Sequence, residues 1–288
     1  MKKVLMITDS YNWATYFRAE NLKENLKNYN FTIRSFYDKR PINYNDFDVV
    51  YITNWPIYGF VKDKISRNRS YKLVTGVSSH IGRKKANRME RFFSIFDSIG
   101  LSNMFLLDEF KNSKIKNLVY TPFGVNHNIF NKKTNPNDYK HVFGWVGNKT
   151  RPVKRYLELK SAIKSLGPKY KFKTVGNTNN FSREKMAKFY NSIGTLICYS
   201  ESEGTPNPVL EAAMCGRPII STNVGNVPEL MSKIVDFRPV NSERSLINQI
   251  VMHSNKKDLD KLGSSIESVA KNHWTWEVQS KRFIRLFE

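Results

Sequence analysis

The sequence contains few cysteines and no long apolar segment, and both absences narrow the classes of protein that it can encode. Its 288 residues include two cysteines, Cys198 and Cys215, with no CxxC pair and no histidine cluster nearby. We therefore expect both to be reduced thiols in the core, as is typical of a cytosolic protein. No window approaches the roughly 20 apolar residues that a membrane-spanning helix needs. The apolar run at residues 4–7 is too short for the core of a signal peptide.

Acidic residues are also scarce, since 25 Asp and Glu stand against 47 Lys and Arg and give a formal net charge of +22. Residues 62–91 contain ten basic and two acidic residues, and residues 149–173 contain nine basic residues and one acidic residue. Such fields attract polyanions, for example nucleic acid, an anionic membrane face or phosphorylated substrates. An AT-rich genome, whose codons favour lysine, is the alternative explanation. It accounts for scattered lysines better than for two dense clusters.

Short apolar runs alternate with helix-length segments along the chain, which predicts an α/β protein with parallel sheets and helices on both faces. The predicted strands are residues 4–8, 32–36, 49–53, 73–76, 118–120, 142–146, 172–175, 195–198 and 218–222. The predicted helices include residues 13–28, 83–99, 154–166, 182–191 and 209–215.

The polar stretch 131–138, which contains Pro136, interrupts this alternation and is interpreted as a linker. We therefore predict two doubly wound, Rossmann-like domains facing a cleft, an N-terminal one over residues 1–130 and a C-terminal one over residues 139–272. Residues 273–288 have an amphipathic helical pattern and are expected to pack back toward the N-terminal domain. Ligands of such sheets bind beyond the carboxyl ends of the strands, so the cleft is the expected site.

The most informative segment is residues 203–218, with the sequence EGTPNPVLEAAMCGRP. It places a polar loop after a predicted strand, then Pro208 in the first turn of a helix and Gly216 at its C-terminal end. Free backbone amides and the helix N-terminus favour a phosphate. The carboxylates of Glu203 and Glu211 only accept hydrogen bonds when ionised, which suits a ligand rich in hydroxyl groups.

In its context, Ser-Glu-Gly-x-Pro-x-x-x-x-Glu-Ala-x-x-x-Gly-x-Pro, this glutamate pair resembles the signature of the family 4 retaining glycosyltransferases. The resemblance implies the GT-B fold and a nucleoside-diphosphate sugar as co-substrate, with no cofactor. It also implies that Glu203 contacts the hydroxyl groups of the donor sugar and that Glu211 holds the nucleotide ribose. Further donor contacts, mainly through backbone amides and the helix N-terminus, are expected from Gly204, Thr205, Pro206, Asn207 and Val209.

Three further segments resemble the same family. Residues 121–130 are similar to the segment that enters its C-terminal domain, and residues 274–277 to the start of its last helix. Residues 144–154 resemble the element in which an arginine and a lysine clamp the pyrophosphate, although Asn148 stands at the usual arginine position. The clamp is therefore assigned to Arg151 and Lys154, and the neighbouring donor contacts to Gly147 and Asn148.

His80 follows the predicted strand at residues 73–76. In the family a histidine at the end of an N-terminal-domain strand often contacts the donor sugar, so His80 is a candidate catalytic residue. A lone histidine is more often structural, and both interpretations stay open.

Asp46-Phe47-Asp48 matches the Asp-x-Asp metal motif of the other large glycosyltransferase fold. It precedes a predicted strand, which is the wrong end of the sheet for a ligand. We therefore predict no metal site. The departing diphosphate is then neutralised by arginine, lysine and backbone amides.

The N-terminal domain is expected to supply the acceptor surface, and the residues assigned to a polyanionic acceptor are Arg83, Lys84, Lys85, Arg88 and Arg91. DNA with hydroxymethylated bases is one acceptor, as in bacteriophage DNA glucosyltransferases, which share this two-domain fold. The alternative is a cell-surface glycan or lipid-linked acceptor at an anionic membrane. A third possibility is a non-catalytic nucleic-acid-binding protein on a transferase scaffold, against which the intact loop at 203–211 argues. The expected location is cytoplasmic, in the infected host cell if a phage encodes the chain, or peripheral to a membrane.

Overall fold

The chain forms two compact units in the computed structural model, which describes residues 1–11, 14–66, 68–79, 89–176, 181–235 and 237–288. Unit 1 comprises Met1–Gly124 together with Trp276–Glu288, and unit 2 comprises Val125–Thr275.

The stretch predicted as a linker, residues 131–138, lies within unit 2. The backbone nitrogen of Lys133 donates a hydrogen bond of 2.7 Å to Oδ1 of Asn191. The Thr134 hydroxyl donates one of 2.6 Å to the backbone oxygen of the same asparagine. These hydrogen bonds attach the stretch to its own unit, and the division between the units falls earlier, after Gly124.

Unit 1 is built on six parallel strands: β1 Lys2–Thr8, β2 Tyr29–Ser35, β3 Val49–Ile52, β4 Lys72–Val77, β5 Ser98–Leu101 and β6 Leu118–Tyr120. They lie in the order β2-β1-β3-β4-β5-β6. The helices of its described residues are α1 Ala14–Asn25, α2 Tyr58–Val61, α3 Glu90–Phe93 and α4 Met104–Phe110. All four residues of β3 are buried, as expected for an inner strand of a parallel sheet covered on both faces.

The sequence predicts a single helix over residues 83–99, and this is wrong for its C-terminal part. Helix α3 ends at Phe93, and β5 pairs in parallel with β4 and β6. The Asp97 carboxylate accepts a hydrogen bond of 2.7 Å from the backbone nitrogen of Leu73 in β4, which attaches the start of β5 to the sheet. The strand is stabilised by neighbours that are distant in sequence, so the local apolar spacing does not reveal it.

Unit 2 contains four parallel strands: β7 Val142–Val146, β8 Lys171–Val175, β9 Thr195–Cys198 and β10 Ile219–Ser221. The sheet order is β10-β9-β7-β8. The helices of its described residues are α5 Tyr156–Ser165, α6 Arg183–Tyr190, α7 Asn207–Met214, α8 Val227–Met231, α9 Glu243–Asn255 and α10 Leu259–His273. The predicted strands at residues 142–146 and 195–198 are confirmed to the residue. In the part of the chain that the structure describes, no helix is both long and apolar enough to cross a bilayer.

The chain ends in two short helices, α11 Trp276–Gln279 and α12 Lys281–Phe287, which belong to unit 1. The sequence predicts one helix here, but Ser280 separates the two. Phe283, Leu286 and Phe287 are fully buried in the core cluster of unit 1. Because burial of one such side chain contributes about 1.5–3 kcal/mol, these three anchor the C-terminus on unit 1.

Candidate functional site

The site in unit 2 follows from its strand order. Strands β7 and β9 are neighbours, while β8 lies on the outer side of β7 and β10 on the outer side of β9. Ligands of open parallel sheets bind at such a switch point, outside the carboxyl ends of the strands. The loops that follow Val146 and Cys198 meet there, since the backbone nitrogen of Glu201 donates 2.9 Å to the oxygen of Val153.

Two predicted residues, Lys154 and Glu203, form an ion pair at this edge. Lys154 Nζ lies 2.6 Å from Glu203 Oε1, and the Ser200 hydroxyl donates to the same oxygen at 2.6 Å. The two side chains are only 13% and 11% exposed. Low exposure strengthens the attraction of the pair, because little water screens it. Ser200, two residues beyond β9, is a member of this cluster that the sequence analysis missed.

A strained turn presents Lys154 to this edge. Lys154 is the last residue of a single 3-10 turn, Pro152–Lys154. The next residue, Arg155, has a left-handed backbone with φ 48°. The Arg155 guanidinium lies 3.9 Å from the centre of the Tyr199 ring and 2.5 Å from the Glu158 carboxylate. A left-handed backbone is unfavourable outside glycine, so these contacts of Arg155 offset its cost.

The other predicted residues of the clamp segment are placed differently. Arg151 is exposed and does not join the ion pair of Lys154 with Glu203. The Asn148 side chain accepts a hydrogen bond of 2.9 Å from the Thr150 backbone, which is the role of a turn residue. A Cβ atom on Gly147 would lie 3.0 Å from the Trp145 ring, which is a tight contact, and 3.6 Å from Lys154 Cδ, so glycine leaves room for the tryptophan ring.

The loop at residues 203–206, hereafter the donor loop, was predicted to contact the donor. It leads directly into α7, which begins at Asn207, two residues earlier than expected. Gly204 and Pro206 are buried, and Val209 is buried in the first turn of the helix. The Thr205 hydroxyl is buried without a hydrogen-bond partner among the described residues. The loop therefore brings an unsatisfied polar group close to a helix N-terminus, where a phosphate is favoured.

A second loop, which the sequence analysis missed, supports the donor loop. Gly225 has φ 54°, and a Cβ atom there would lie 2.5 Å from the Gly204 carbonyl oxygen and 2.8 Å from Pro206 Cδ. Its neighbour Asn226 is 1% exposed, and neither its amide nitrogen nor its amide oxygen has a hydrogen-bond partner among the described residues. Asn226 occupies the N-cap position of α8, but its side chain makes no capping hydrogen bond.

Glu211 lies in α7 and has a separate partner. The buried Tyr190 hydroxyl donates to Glu211 Oε2 at 2.7 Å. Burial raises the pKa of the Glu211 carboxyl to about 7, although the Tyr190 hydrogen bond and the charge of Arg183 lower it. The Tyr190 hydroxyl therefore holds one of the two carboxylate oxygens. Tyr190 and Arg183 were not singled out by the sequence analysis.

The carboxyl edge of the unit 1 sheet also carries polar groups. A pocket there is lined by the last residue of β2 and by residues that follow β1 and β2, namely Ser10, Tyr11, Ser35, Tyr37, Asp38, Lys39 and Arg40. Asp38 accepts hydrogen bonds from the side chains of Tyr11, Arg34 and Arg40. The hydrogen bonds from Arg40 are the main reason why the pKa of the Asp38 carboxyl lies well below its usual range.

Several predicted residues lie away from these clusters or outside the described residues. Arg91 is exposed on α3. Asp48 lies at the amino edge of the sheet, where its carboxylate accepts 2.7 Å from the Lys3 backbone. Among the described residues no group of three His, Cys, Asp or Glu side chains could hold a metal ion. The predicted residues outside the described part of the chain are His80, Arg83, Lys84, Lys85 and Arg88.

The fold is that of solved glycosyltransferases. Anabaena HepE, solved with UDP and glucose, aligns with a TM-score of 0.78 and 11% identity over 99% of this chain and 99% of its own. Sucrose-phosphate synthase from Thermosynechococcus elongatus aligns with a TM-score of 0.78 and 12% identity over 100% of this chain and 98% of its own. AviGT4, a glycosyltransferase involved in avilamycin A biosynthesis, aligns with a TM-score of 0.64 and 12% identity over 100% and 97%. The protein is therefore an α/β protein with the GT-B fold.

The sequence of unit 2 carries a family match of its own. Residues 130–255 match the family described as glycosyl transferases group 1. The matched stretch contains the ion pair of Lys154 with Glu203 and the helix that bears Glu211. No curated protein matches the sequence.

Proposed function

We propose that the protein is a glycosyltransferase that takes a sugar from a nucleoside-diphosphate sugar bound to unit 2. The observation that carries the proposal is the cluster of Lys154, Glu203 and Ser200 at the switch point of the sheet. It combines a cation for a phosphate with a carboxylate for sugar hydroxyls. The family match over residues 130–255 includes every member of that cluster.

The proposed roles follow from the chemistry of each group. Glu203 accepts hydrogen bonds from the donor sugar, and Glu211 accepts them from the nucleotide ribose. Lys154, the amides before α7 and the helix N-terminus stabilise the charge that develops on the diphosphate as it leaves. Arg151 is proposed as an exposed second cation of this clamp.

We further propose that transfer retains the anomeric configuration. In that case the acceptor attacks from the face that the diphosphate leaves, and a leaving phosphate oxygen takes the proton of the acceptor hydroxyl. The clamp supplies the positive charge, so transfer is proposed to be independent of metal. Excess EDTA should then change turnover by no more than a few-fold.

Calorimetry separates the two glutamate roles. A thermal-shift panel first selects the best nucleotide sugar, and its free nucleotide serves as the matched ligand. Glu211→Ala should weaken both ligands, whereas Glu203→Ala should weaken only the nucleotide sugar. Loss of a charged hydrogen bond costs about 1.5–3 kcal/mol, or about 10- to 150-fold in affinity. Equal losses for both ligands in both variants would contradict the assignment.

For the acceptor, we propose a polyanion, with DNA bearing hydroxymethylated bases as the first candidate. The net charge of +22 favours such a partner. We assign acceptor recognition to unit 1, including the pocket that Tyr37 and Arg40 line. A glycan or lipid-linked acceptor at an anionic membrane is the second candidate, because the same charge would attract it.

Only sugar transfer distinguishes these acceptors, since both candidates are polyanions. The protein and its radiolabelled donor should be incubated with hydroxymethylated DNA, with unmodified DNA as the matched control, and with lipid and glycan extracts. Label in hydroxymethylated DNA alone supports the first candidate. Label in lipid or glycan and never in DNA overturns it, while glycosyl transfer itself stands.

A further inference from the structure

Most of the basic residues in the second basic segment, residues 149–173, form no ion pair with any residue that the structure describes. Seven of its nine basic residues are exposed. The two others are Lys154, paired with Glu203, and Arg155, paired with Glu158, the only acidic residue of the segment. The exposed cations are Lys149, Arg151, Lys160, Lys164, Lys169, Lys171 and Lys173.

Four of these lysines surround one groove between α5 and the edge strand β8. Lys160 and Lys164, one helical turn apart, line the groove directly. Lys149 Nζ lies 5.2 Å from the centre of the Tyr156 ring, and Lys169 Nζ lies 5.9 Å from the centre of the Tyr170 ring.

The floor of the groove is aromatic. Tyr156, Tyr170 and Phe172 line it, and all three are half-buried. The rings of Tyr156 and Phe172 are stacked, with centres 6.2 Å apart. None of the residues that line the groove is acidic. Its lining therefore combines aromatic side chains with lysines that no lining carboxylate neutralises.

We infer that this groove, hereafter the lysine groove, binds single-stranded nucleic acid. Lysines provide point charges for successive phosphates, and aromatic faces provide stacking surfaces for bases of any sequence. A groove lined with lysines and without carboxylates can bind a backbone without reading base edges. The inference concerns binding alone and does not depend on the proposed transfer reaction.

The structure favours nucleic acid over a membrane surface. A helix that inserts into a bilayer presents a broad apolar face. The apolar face of α5 is instead buried, since Leu159, Ala162 and Ile163 belong to the core. On its outer face Leu157 is exposed, but its exposed helix neighbours are charged or polar.

Charge reversal tests the lysine groove. The affinity of the protein for a fluorescently labelled oligothymidylate of about 20 nucleotides would be measured by fluorescence anisotropy at several salt concentrations. The double variant Lys160→Glu/Lys164→Glu should weaken binding more than ten-fold at low salt. It should also reduce the salt slope by about 1.4, because each phosphate contact on a single strand contributes about 0.7.

The matched control is Lys257→Glu/Lys261→Glu, which makes the same charge change at exposed positions of unit 2 outside the groove. Thermal melting verifies that both double variants fold. Loss of affinity confined to the groove variant supports the inference. Equal loss in both variants overturns it, because the effect would then reflect net charge alone.

Two further measurements address the aromatic floor and the membrane. Phe172→Leu keeps an apolar side chain in the floor but removes a stacking face, and it should weaken the oligonucleotide about five-fold or more. An abasic oligonucleotide should bind Phe172→Leu and the wild type with equal affinity, because it has no bases to stack. Phosphatidylserine vesicles serve as the competing polyanion. The inference is overturned if the wild type binds vesicles but not the oligonucleotide, and if Leu157→Asp abolishes the vesicle binding.

Discussion

The carboxyl edges of the two sheets pair their charges in different ways. In unit 2, Lys154 and Glu203 are 49 residues apart in sequence, and their side chains are only 13% and 11% exposed. In unit 1, Asp38 and Arg40 are two residues apart, and the arginine side chain is 68% exposed. Water and salt screen the charges of the second pair. In the first pair, each charge depends on the opposite charge of its partner residue for compensation. Removal of one charge should therefore have a large effect in unit 2 and a small effect in unit 1.

The largest effect is expected from Lys154→Met. This variant removes the cation that we propose stabilises the departing diphosphate, and loss of such a group lowers kcat about 10²- to 10³-fold. Single-turnover transfer at saturating donor would measure the step directly. Lys185→Met, an exposed lysine of the same unit, is the matched control and should transfer at the wild-type rate.

A double variant tests whether the two charges act as one unit. Lys154→Met leaves the Glu203 carboxylate without its cation, so Lys154→Met/Glu203→Gln should lose less than the sum of the single losses. Strict additivity would show that the ion pair of Lys154 with Glu203 is not a functional unit. The contrast between the two sheet edges would then lose its basis.

The second effect concerns the backbone that supports the donor loop. Gly225→Ala places a side chain on a left-handed residue, which costs roughly 1–2 kcal/mol, and its Cβ atom would press on the Gly204 carbonyl. Urea unfolding should show at least that loss, and nucleotide-sugar affinity should fall with it. Gly59→Ala is the matched control, because its added Cβ would meet no atom within 4 Å apart from its chain neighbours and the backbone of its own helix, and the stability should not fall. Equal stability of the two variants would contradict the close contact.

Much of the sheet framework could be predicted from the sequence. Most inner strands of both units are apolar runs bounded by polar loops, because a parallel sheet buries its inner strands on both faces. The prediction failed at β5, because Phe92, Phe93 and Phe96 precede the strand at helical spacing and suggest that the helix continues. Whether the chain forms a strand at Ser98–Leu101 is decided by pairing with β4 and β6, which no local window contains.

The candidate site was predictable where its residues are contiguous. The loop from Glu203 to Glu211 carries its own helix start and its own carboxylates, so local chemistry identifies it. Tyr190 and Asn226 were missed for a different reason. A tyrosine in a helix and an asparagine before one have ordinary local explanations. Only the tertiary structure brings Tyr190 to Glu211 and buries the Asn226 amide without a partner.

The third effect is a pH dependence that distinguishes the buried edge from the exposed one. The folded-state pKa of Glu211, about 7, is raised by burial above its ordinary value of 4.5. Its contribution to stability is therefore present below pH 4.5 and lost as the pH rises through 7. If the ionised carboxylate binds the ribose, nucleotide-sugar affinity should rise about ten-fold between pH 6 and pH 8.

Titration calorimetry across that pH range measures the change. Glu211→Gln cannot ionise, so its affinity should be low and independent of pH through this window. Tyr190→Phe removes a hydrogen bond that favours the ionised carboxylate, so the rise in affinity should move to higher pH. A wild-type affinity that does not change between pH 6 and pH 8 would show that Glu211 does not bind the donor as an anion.

The smallest effect is expected from Arg40→Ala in unit 1. Its ion pair with Asp38 is solvent-exposed on the arginine side, and such pairs contribute about 0.2–1 kcal/mol. Asp38 would keep the hydrogen bonds from Tyr11 and Arg34, so the carboxylate would not be left without partners. Urea unfolding should show a loss below about 1 kcal/mol, and donor affinity should not change. If unit 1 binds the acceptor, KM for the acceptor should rise, because Arg40 lines its pocket. A stability loss as large as that of Gly225→Ala would make Arg40 a structural residue and remove the contrast between the two edges.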